Sequence, residues 1–182
     1  MDRIEFERTI KRAKTPEDRV AWFGALLSKE TKTTVEVVGG SAIEVYLSSS
    51  AYVSEDIDVV GRKEAIELAL TRWGFGEVTG RSQRRYWSHK LVGLVDLVGT
   101  ADRSGLPPRR VSTPFGPVTL GPLEPLIIRR LVRSEREGSP ELLRQAVLLA
   151  RKGGLDWDYL ESEARYEKIE VLLKKLRKEL AS

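Results

Sequence analysis

A carboxylate in the most apolar stretch of this 182-residue chain constrains its fold more than any other feature. Residues 91–98 read LVGLVDLV, and Asp96 sits among six apolar neighbours. The run is short and too hydrophobic for an exposed edge, so it is expected as a central strand of a sheet. A charge in such a strand is costly to bury unless something pairs with it. The fold must therefore bring a partner to Asp96. That partner is either a cation, such as Arg84 or Arg85, or other acids that share a cation with it.

A second strand offers those acids. Asp56–Val60 reads DIDVV. Side chains alternate along a strand, so Asp56 and Asp58 point one way while Ile57 and Val59 face the core. Upstream, residues 33–38 (TTVEVV) are β-branched and read as another strand. Gly39 and Gly40 break it, and residues 41–47 then have helical character. Glycines at such a junction allow a sharp turn and a close approach of ligand to backbone. The amides of the helix start, with the Ser41 hydroxyl, form an anion site. If LVGLVDLV lies beside DIDVV, Asp96 joins Asp56 and Asp58. Three converging carboxylates repel one another, and a hard divalent cation, Mg²⁺ or Mn²⁺, resolves the conflict. Two such ions can clamp the attacking and leaving oxygens of an in-line phosphoryl displacement. In this reading Asp56, Asp58 and Asp96 are the metal ligands and the catalytic acids, and Asp96 helps to deprotonate an acceptor hydroxyl. Each signal alone has a plainer explanation: a glycine pair in any α/β turn, a solvated Asp-x-Asp face, a buried acid paired to arginine. Their order and strand placement make the combination specific.

The rest of the chain divides in two. Helices are expected at 3–13, 15–28 and 63–73, with a hairpin of 77–78 and 84–88 around Gly80. Residues 99–122 hold five prolines and read as a connector with short strands at 111–113 and 117–120. Helices follow at 122–134, 139–152 and 166–180, with a short turn at 156–161. Ser139 and Pro140 suit the start of the second of these, as cap and first residue. The expected class is α/β (α+β), a mixed sheet flanked by helices over residues 1–120 and a helical region over 121–182. The chain lacks cysteine and has one histidine, which excludes disulfides, thiolate sites and multi-histidine zinc. A net charge of +4 permits nucleic acid or nucleotide partners without demanding them. No apolar run suits a membrane span and the first residues do not read as a signal peptide, so a cytoplasmic location is expected. Asparagine is absent and methionine appears only at position 1, a composition in keeping with a thermophilic source.

VEVVGGSAIEVYL, EDIDVV and LVGLVDLV, in that order, resemble the nucleotidyltransferase superfamily. The likeness is strongest to small prokaryotic members, including minimal nucleotidyltransferases and the toxins of abortive-infection toxin–antitoxin systems. It implies transfer of a nucleoside monophosphate from a nucleoside triphosphate to a hydroxyl of RNA, protein or a small molecule, with a divalent metal. It implies Gly39, Gly40 and Ser41 as the nucleotide-binding turn. It extends more loosely to the helical segment LEPLIIRRLVRSEREGSPELLRQAVLLA, where the family usually has lysine before the leucine and this chain has Arg130, implied as a triphosphate contact. Departures are plain. Fifteen residues separate Gly40 from Asp56, slightly more than usual. The arginine and threonine often found before the Asp-x-Asp are missing from AYVSEDIDVV, where Ser54 or Glu55 stands in. An acid that many members carry after the arginine helix is not evident. A catalytically inactive relative that binds RNA or an antitoxin-like partner protein is the alternative reading.

Other residues read more plainly. Glu55 is expected to face solvent. Glu44 could lie near the site on its helix, though a surface ion pair is the plainer reading. The basic cluster Arg81, Arg84 and Arg85 with Tyr86 and Trp87 could bind nucleic acid through charge and stacking, though an exposed hairpin with Trp87 packed on the sheet is the favoured reading. His89 reads as a turn residue. Arg129, Arg133 and Arg136 share a helix face and Arg130 points elsewhere. That face could bind a triphosphate or a polynucleotide, and a solvated face balanced by Glu135 and Glu137 is an equal reading. Ile169, Leu172, Leu173 and Leu176 form an apolar stripe suited to a core or subunit interface.

Overall fold

A computed structural model describes residues 1–48, 52–79, 85–99 and 104–181. The chain forms two compact units, Met1–Gly121 and Pro122–Ser182.

In the first unit, α1 (Arg3–Ile10) and α2 (Pro16–Thr31) precede β1 (Glu36–Val38) and α3 (Gly39–Leu47). Then come β2 (Asp56–Val60), α4 (Lys63–Arg72), β3 (Gly76–Thr79), β4 (Arg85–His89), β5 (Gly93–Gly99), β6 (Arg109–Thr113) and β7 (Gly116–Leu120). The seven strands form one mixed sheet in the order β3-β4-β5-β2-β1-β7-β6. The expected mixed α/β architecture is the one observed. β2 runs parallel to β5 and antiparallel to β1, and β1 runs parallel to β7. β5 is interior, as its apolar content requires, but β2 holds the middle. Leu94 and Val98 of β5 remain 36% and 39% exposed, while Val95 and Asp96 in the middle of the strand are buried. The proline-rich stretch does more than connect. Its two strands pair with each other and extend the sheet beside β1. The turn expected at Gly80 lies outside the described residues, as do Arg81 and Arg84 of the basic cluster. Arg85 is exposed and ion-paired with Glu77 at 2.6 Å, and Trp87 is half-buried.

Local chemistry explains the helices. Thr15 caps α2 by accepting the Asp18 amide at 3.2 Å, and Pro16 occupies its first position. Val37, Ile57, Val59, Val95 and Val118 fall on one sheet face by register, and all are buried. α2 lies on that face so closely that a Cβ on Gly24 would meet Val37 and Val118 at 2.7 and 2.8 Å. At the other end of the sheet, Phe6 of α1 stacks on Trp73 with ring centroids 4.3 Å apart. His89 is part of this cluster rather than a turn residue. Its ring lies 4.8 Å from Phe75 and 5.6 Å from Phe6, and the residue is 5% exposed.

The second unit comprises α5 (Leu123–Glu137), α6 (Pro140–Ala150), α7 (Trp157–Tyr166) and α8 (Glu170–Ala181). Where one short turn and one helix were expected, two helices stand. They are separated by Lys168, which adopts φ +60° without a glycine to announce it. Ser139 precedes α6 but its side chain makes no capping bond; the Ser134 hydroxyl instead donates to the Ser139 carbonyl at 2.8 Å. Glu124 is buried and accepts the Asp156 amide at 2.8 Å, fixing the start of α7. Ile169, Leu173 and Leu176 are buried, as the stripe requires. Among the described residues, no helix is long and apolar enough to cross a membrane.

Candidate active site

The acids converge. β2 and β5 pair in parallel with Asp58 opposite Asp96 and Asp56 opposite Leu94. Opposed residues share a face, and Asp56 shares it by the two-residue period. One carboxylate oxygen from each of Asp56, Asp58 and Asp96 lies within 4.8 Å of the others. Asp96 is 2% exposed, while Asp56 and Asp58 are half-buried. All three stand on the face opposite the one that α2 covers. The donor set suits a hard divalent cation: oxygen ligands only, anionic, and close enough to share one ion.

The glycine turn meets the same place. Val38 pairs with Asp58 across the β1–β2 ladder, and α3 begins at the very next residue, Gly39. Gly39 has φ +62°, and a Cβ on it would overlap the Asp58 carboxylate. This glycine therefore makes room for an acid as well as for a turn. Val38 at the start of α3 makes no side-chain capping bond, and the first amides of the helix lie at Gly39, Gly40 and Ser41. Ser41 is fully buried. Its hydroxyl donates to the Val38 carbonyl at 3.0 Å and accepts the Asp58 amide at 3.1 Å, so it clamps β1, α3 and β2 at their junction.

Two features here were missed or misread in the sequence. The Tyr52 and Ser54 hydroxyls stand over Gly40, where an added Cβ would come within 2.5 and 2.7 Å of them. No residue pattern announced Tyr52. Glu44 is not in a surface ion pair: it is 2% exposed and accepts the Ser54 amide at 2.8 Å. Burial pushes its carboxyl pKa up, against the pull of the Ser54 amide; Glu17 adds to the rise and Arg19 opposes it. The argument that flagged Asp96, a charge in an apolar run, applies equally to AIEVYL. Glu55 is exposed, as expected. Arg130 lies on α5 and is 4% exposed, while Arg129, Arg133 and Arg136 are exposed on that helix.

No family model matches the sequence, and no curated protein matches it at a significant level. Solved structures do. An antigenic nucleotidyltransferase-like protein from Paracoccidioides brasiliensis superposes with a TM-score of 0.68 at 13% identity, over 93% of this chain and 94% of that one. This chain has a nucleotidyltransferase-like fold. The antibiotic-resistance factor ANT(2″)-Ia, solved in solution, is similar with a TM-score of 0.53 at 16% identity, over 85% and 93% of the two chains. Its crystal structure with adenylyl-2″-tobramycin gives 0.52 at 18% identity, over 86% and 95%. Within the nucleotidyltransferase-like fold of this chain, the acids of β2 and β5 and the start of α3 form one cluster.

Proposed function

We propose that this chain is a metal-dependent nucleotidyltransferase that moves a nucleoside monophosphate from a nucleoside triphosphate to a hydroxyl. The observation that carries the reading is the meeting of Asp56, Asp58 and Asp96 on one sheet face beside the uncapped start of α3. Asp56, Asp58 and Asp96 would hold Mg²⁺ or Mn²⁺. When bound, the ion supplies the positive charge that holds a triphosphate and offsets charge developing on it. The amides of Gly39, Gly40 and Ser41 would receive phosphate oxygens along the favourable end of the α3 dipole. Ser41 contributes by locking that turn, since its hydroxyl is engaged with backbone. The acceptor oxygen attacks the α-phosphorus, the bond to the bridging oxygen breaks, and pyrophosphate leaves. Asp96 would take the acceptor proton, and its burial keeps bulk water from competing for that position. No covalent intermediate is needed; positioning and charge neutralisation carry the reaction.

The acceptor is a hydroxyl of RNA, protein or a small molecule. The likeness to a structure that holds adenylyl-2″-tobramycin supports the small-molecule class. A toxin role beside an antitoxin partner, in the cytoplasm, is the setting that the sequence resemblance suggests. Incubating the protein with labelled nucleoside triphosphates, Mg²⁺ or Mn²⁺ and cell extract is expected to label an acceptor. The Asp56→Ala/Asp58→Ala variant is expected to label nothing, and Arg130→Ala to label weakly. Labelling that survives in the double variant, or is absent with every triphosphate, removes the reading. For the toxin setting, expression of the wild type should arrest growth and the double variant should not.

A further inference from the structure

We propose that Glu44 is a positioning residue for the nucleotide site, holding the hydroxyl-bearing segment 52–55 against the first turn of α3. The assignment deepens the nucleotide-binding reading above and rests on it.

Three observations converge on Glu44. First, Glu44 is 2% exposed on α3, a helix buried along most of its length. A carboxylate in such a place loses hydration and is retained only where it makes strong bonds. Second, the bond it makes goes to the Ser54 amide at 2.8 Å, a charge-assisted contact to a segment with no regular structure of its own. Third, Glu44 follows Gly40 by four residues, one helical turn, so both face the same segment. Above Gly40 stand the Ser54 and Tyr52 hydroxyls. One carboxylate thus fixes the backbone of the residue whose hydroxyl stands over Gly40 in the first turn of α3. Two residues later the chain reaches Asp56.

The surroundings fit positioning rather than direct contact. A cavity of about 70 Å³ is lined by Arg19, Glu44, Ser54, Glu55 and Asp56. That is room for a water or two and too little for a nucleotide. Glu44 therefore acts through the 52–55 segment. Releasing that segment withdraws the hydroxyl wall from Gly40 while the acids, held by the β2–β5 ladder, stay in place. Metal binding and triphosphate binding should consequently separate.

The test compares the wild type with Glu44→Gln and Glu44→Ala by calorimetry. The titrants are MnCl₂ alone, then Mn²⁺ with non-hydrolysable nucleoside triphosphates; amide exchange at Ser54 is followed alongside. Mn²⁺ affinity is expected to stay within about twofold in all three proteins. Triphosphate affinity is expected to fall about tenfold or more in Glu44→Ala, with faster Ser54 exchange, and to recover in Glu44→Gln, whose amide oxygen still accepts the bond. Should Glu44→Ala fail to fold, Glu44→Asp, which keeps the charge and shortens the reach, is expected to show the same loss. Unchanged triphosphate affinity despite a released Ser54 amide overturns the assignment. So does a parallel loss of metal and triphosphate binding, which marks general destabilisation. If the wild type itself binds no triphosphate, the nucleotide-site reading fails before any substitution is made, and the Glu44 assignment falls with it.

Discussion

Gly39 and the Asp58 carboxylate occupy one space: a Cβ on the glycine would overlap Asp58 Oδ2. Two demands meet at position 39. The backbone has φ +62°, where L-residues are strained, and the acid needs the vacant side-chain volume. Gly39→Ala should therefore cost about 1–2 kcal/mol from backbone conformation alone. It should also push Asp58 out of line with Asp56 and Asp96. The expected result is a folded variant with a lower melting temperature and lost Mn²⁺ affinity. Mn²⁺ titration followed by electron paramagnetic resonance checks it; wild-type affinity in the variant would sink the shared-space argument.

The acid cluster gives a prediction that needs no knowledge of acceptor or nucleotide. A ligand that binds only the folded state at one hundred times its dissociation constant stabilises by about 2.7 kcal/mol. For a chain of this size that is roughly 5–10 °C in melting temperature. Mn²⁺ should raise the wild-type melting temperature on this scale. Asp56→Asn should abolish the rise while changing metal-free stability by less than about 1 kcal/mol, because Asp56 is only half-buried. A melting scan with and without the metal decides it. An equal rise in both proteins would place the metal elsewhere.

The acids were legible because two periodicities agreed. The two-residue period put Asp56 and Asp58 together, and the apolar run around Asp96 required an interior strand next to other charged groups. The β6 and β7 strands were read at 111–113 and 117–120, but their place in the sheet was not. The prolines suggested a connector, yet Pro108 precedes β6 and Pro114 sits in the turn, where a missing amide donor does little harm. Lys168 follows α7 in the left-handed region with no glycine or asparagine to mark it, so α7 was read as a short turn and the last helix was begun at 166 rather than 170. Contacts such as those of Tyr52 with Gly40 and Ser41 with Asp58 arise from tertiary packing. Nothing in their local sequence encodes them.

His89 makes stability depend on pH in one direction. Burial holds its pKa below the usual histidine value. Glu7, 3.5 Å away, pulls the other way, while Arg3 and Lys90 reinforce the depression. Its Nδ1 accepts the Leu91 amide at 3.2 Å, which requires that nitrogen to be unprotonated. The unfolded chain then binds more protons than the folded one between the two pKa values, so stability rises with pH across that window. Full stability is expected above about pH 6.5, with progressive loss as the pH falls below it toward the folded-state value. Since the chain has a single histidine, the assignment is clean. Denaturant melts at a series of pH values should show the loss in the wild type, and His89→Gln should remove this component. A His89 ring that titrates by NMR above its ordinary value would reverse the sign and refute the prediction.

Tyr46 ties α3 to the far end of β7, donating its hydroxyl to the Gly121 carbonyl at 2.7 Å in a buried position. The Gly121 amide in turn donates to the Val37 carbonyl at 2.9 Å, so the same residue is held from both sides. Tyr46→Phe removes one oxygen and leaves the ring in place. The loss of a buried bond, with its carbonyl partner left unmet, should cost about 1–3 kcal/mol. The effect should extend beyond stability. α3 starts at Gly39, and looser anchoring of its later turn widens the range of positions open to the Gly40 amide. Nucleotide affinity should therefore drop by a modest factor, with Mn²⁺ affinity unchanged because the β2–β5 ladder does not depend on Tyr46. Urea denaturation together with the two titrations measures all three quantities. A variant as stable as the wild type would show that the bond to Gly121 contributes little and that the other contacts of α3 hold it in place.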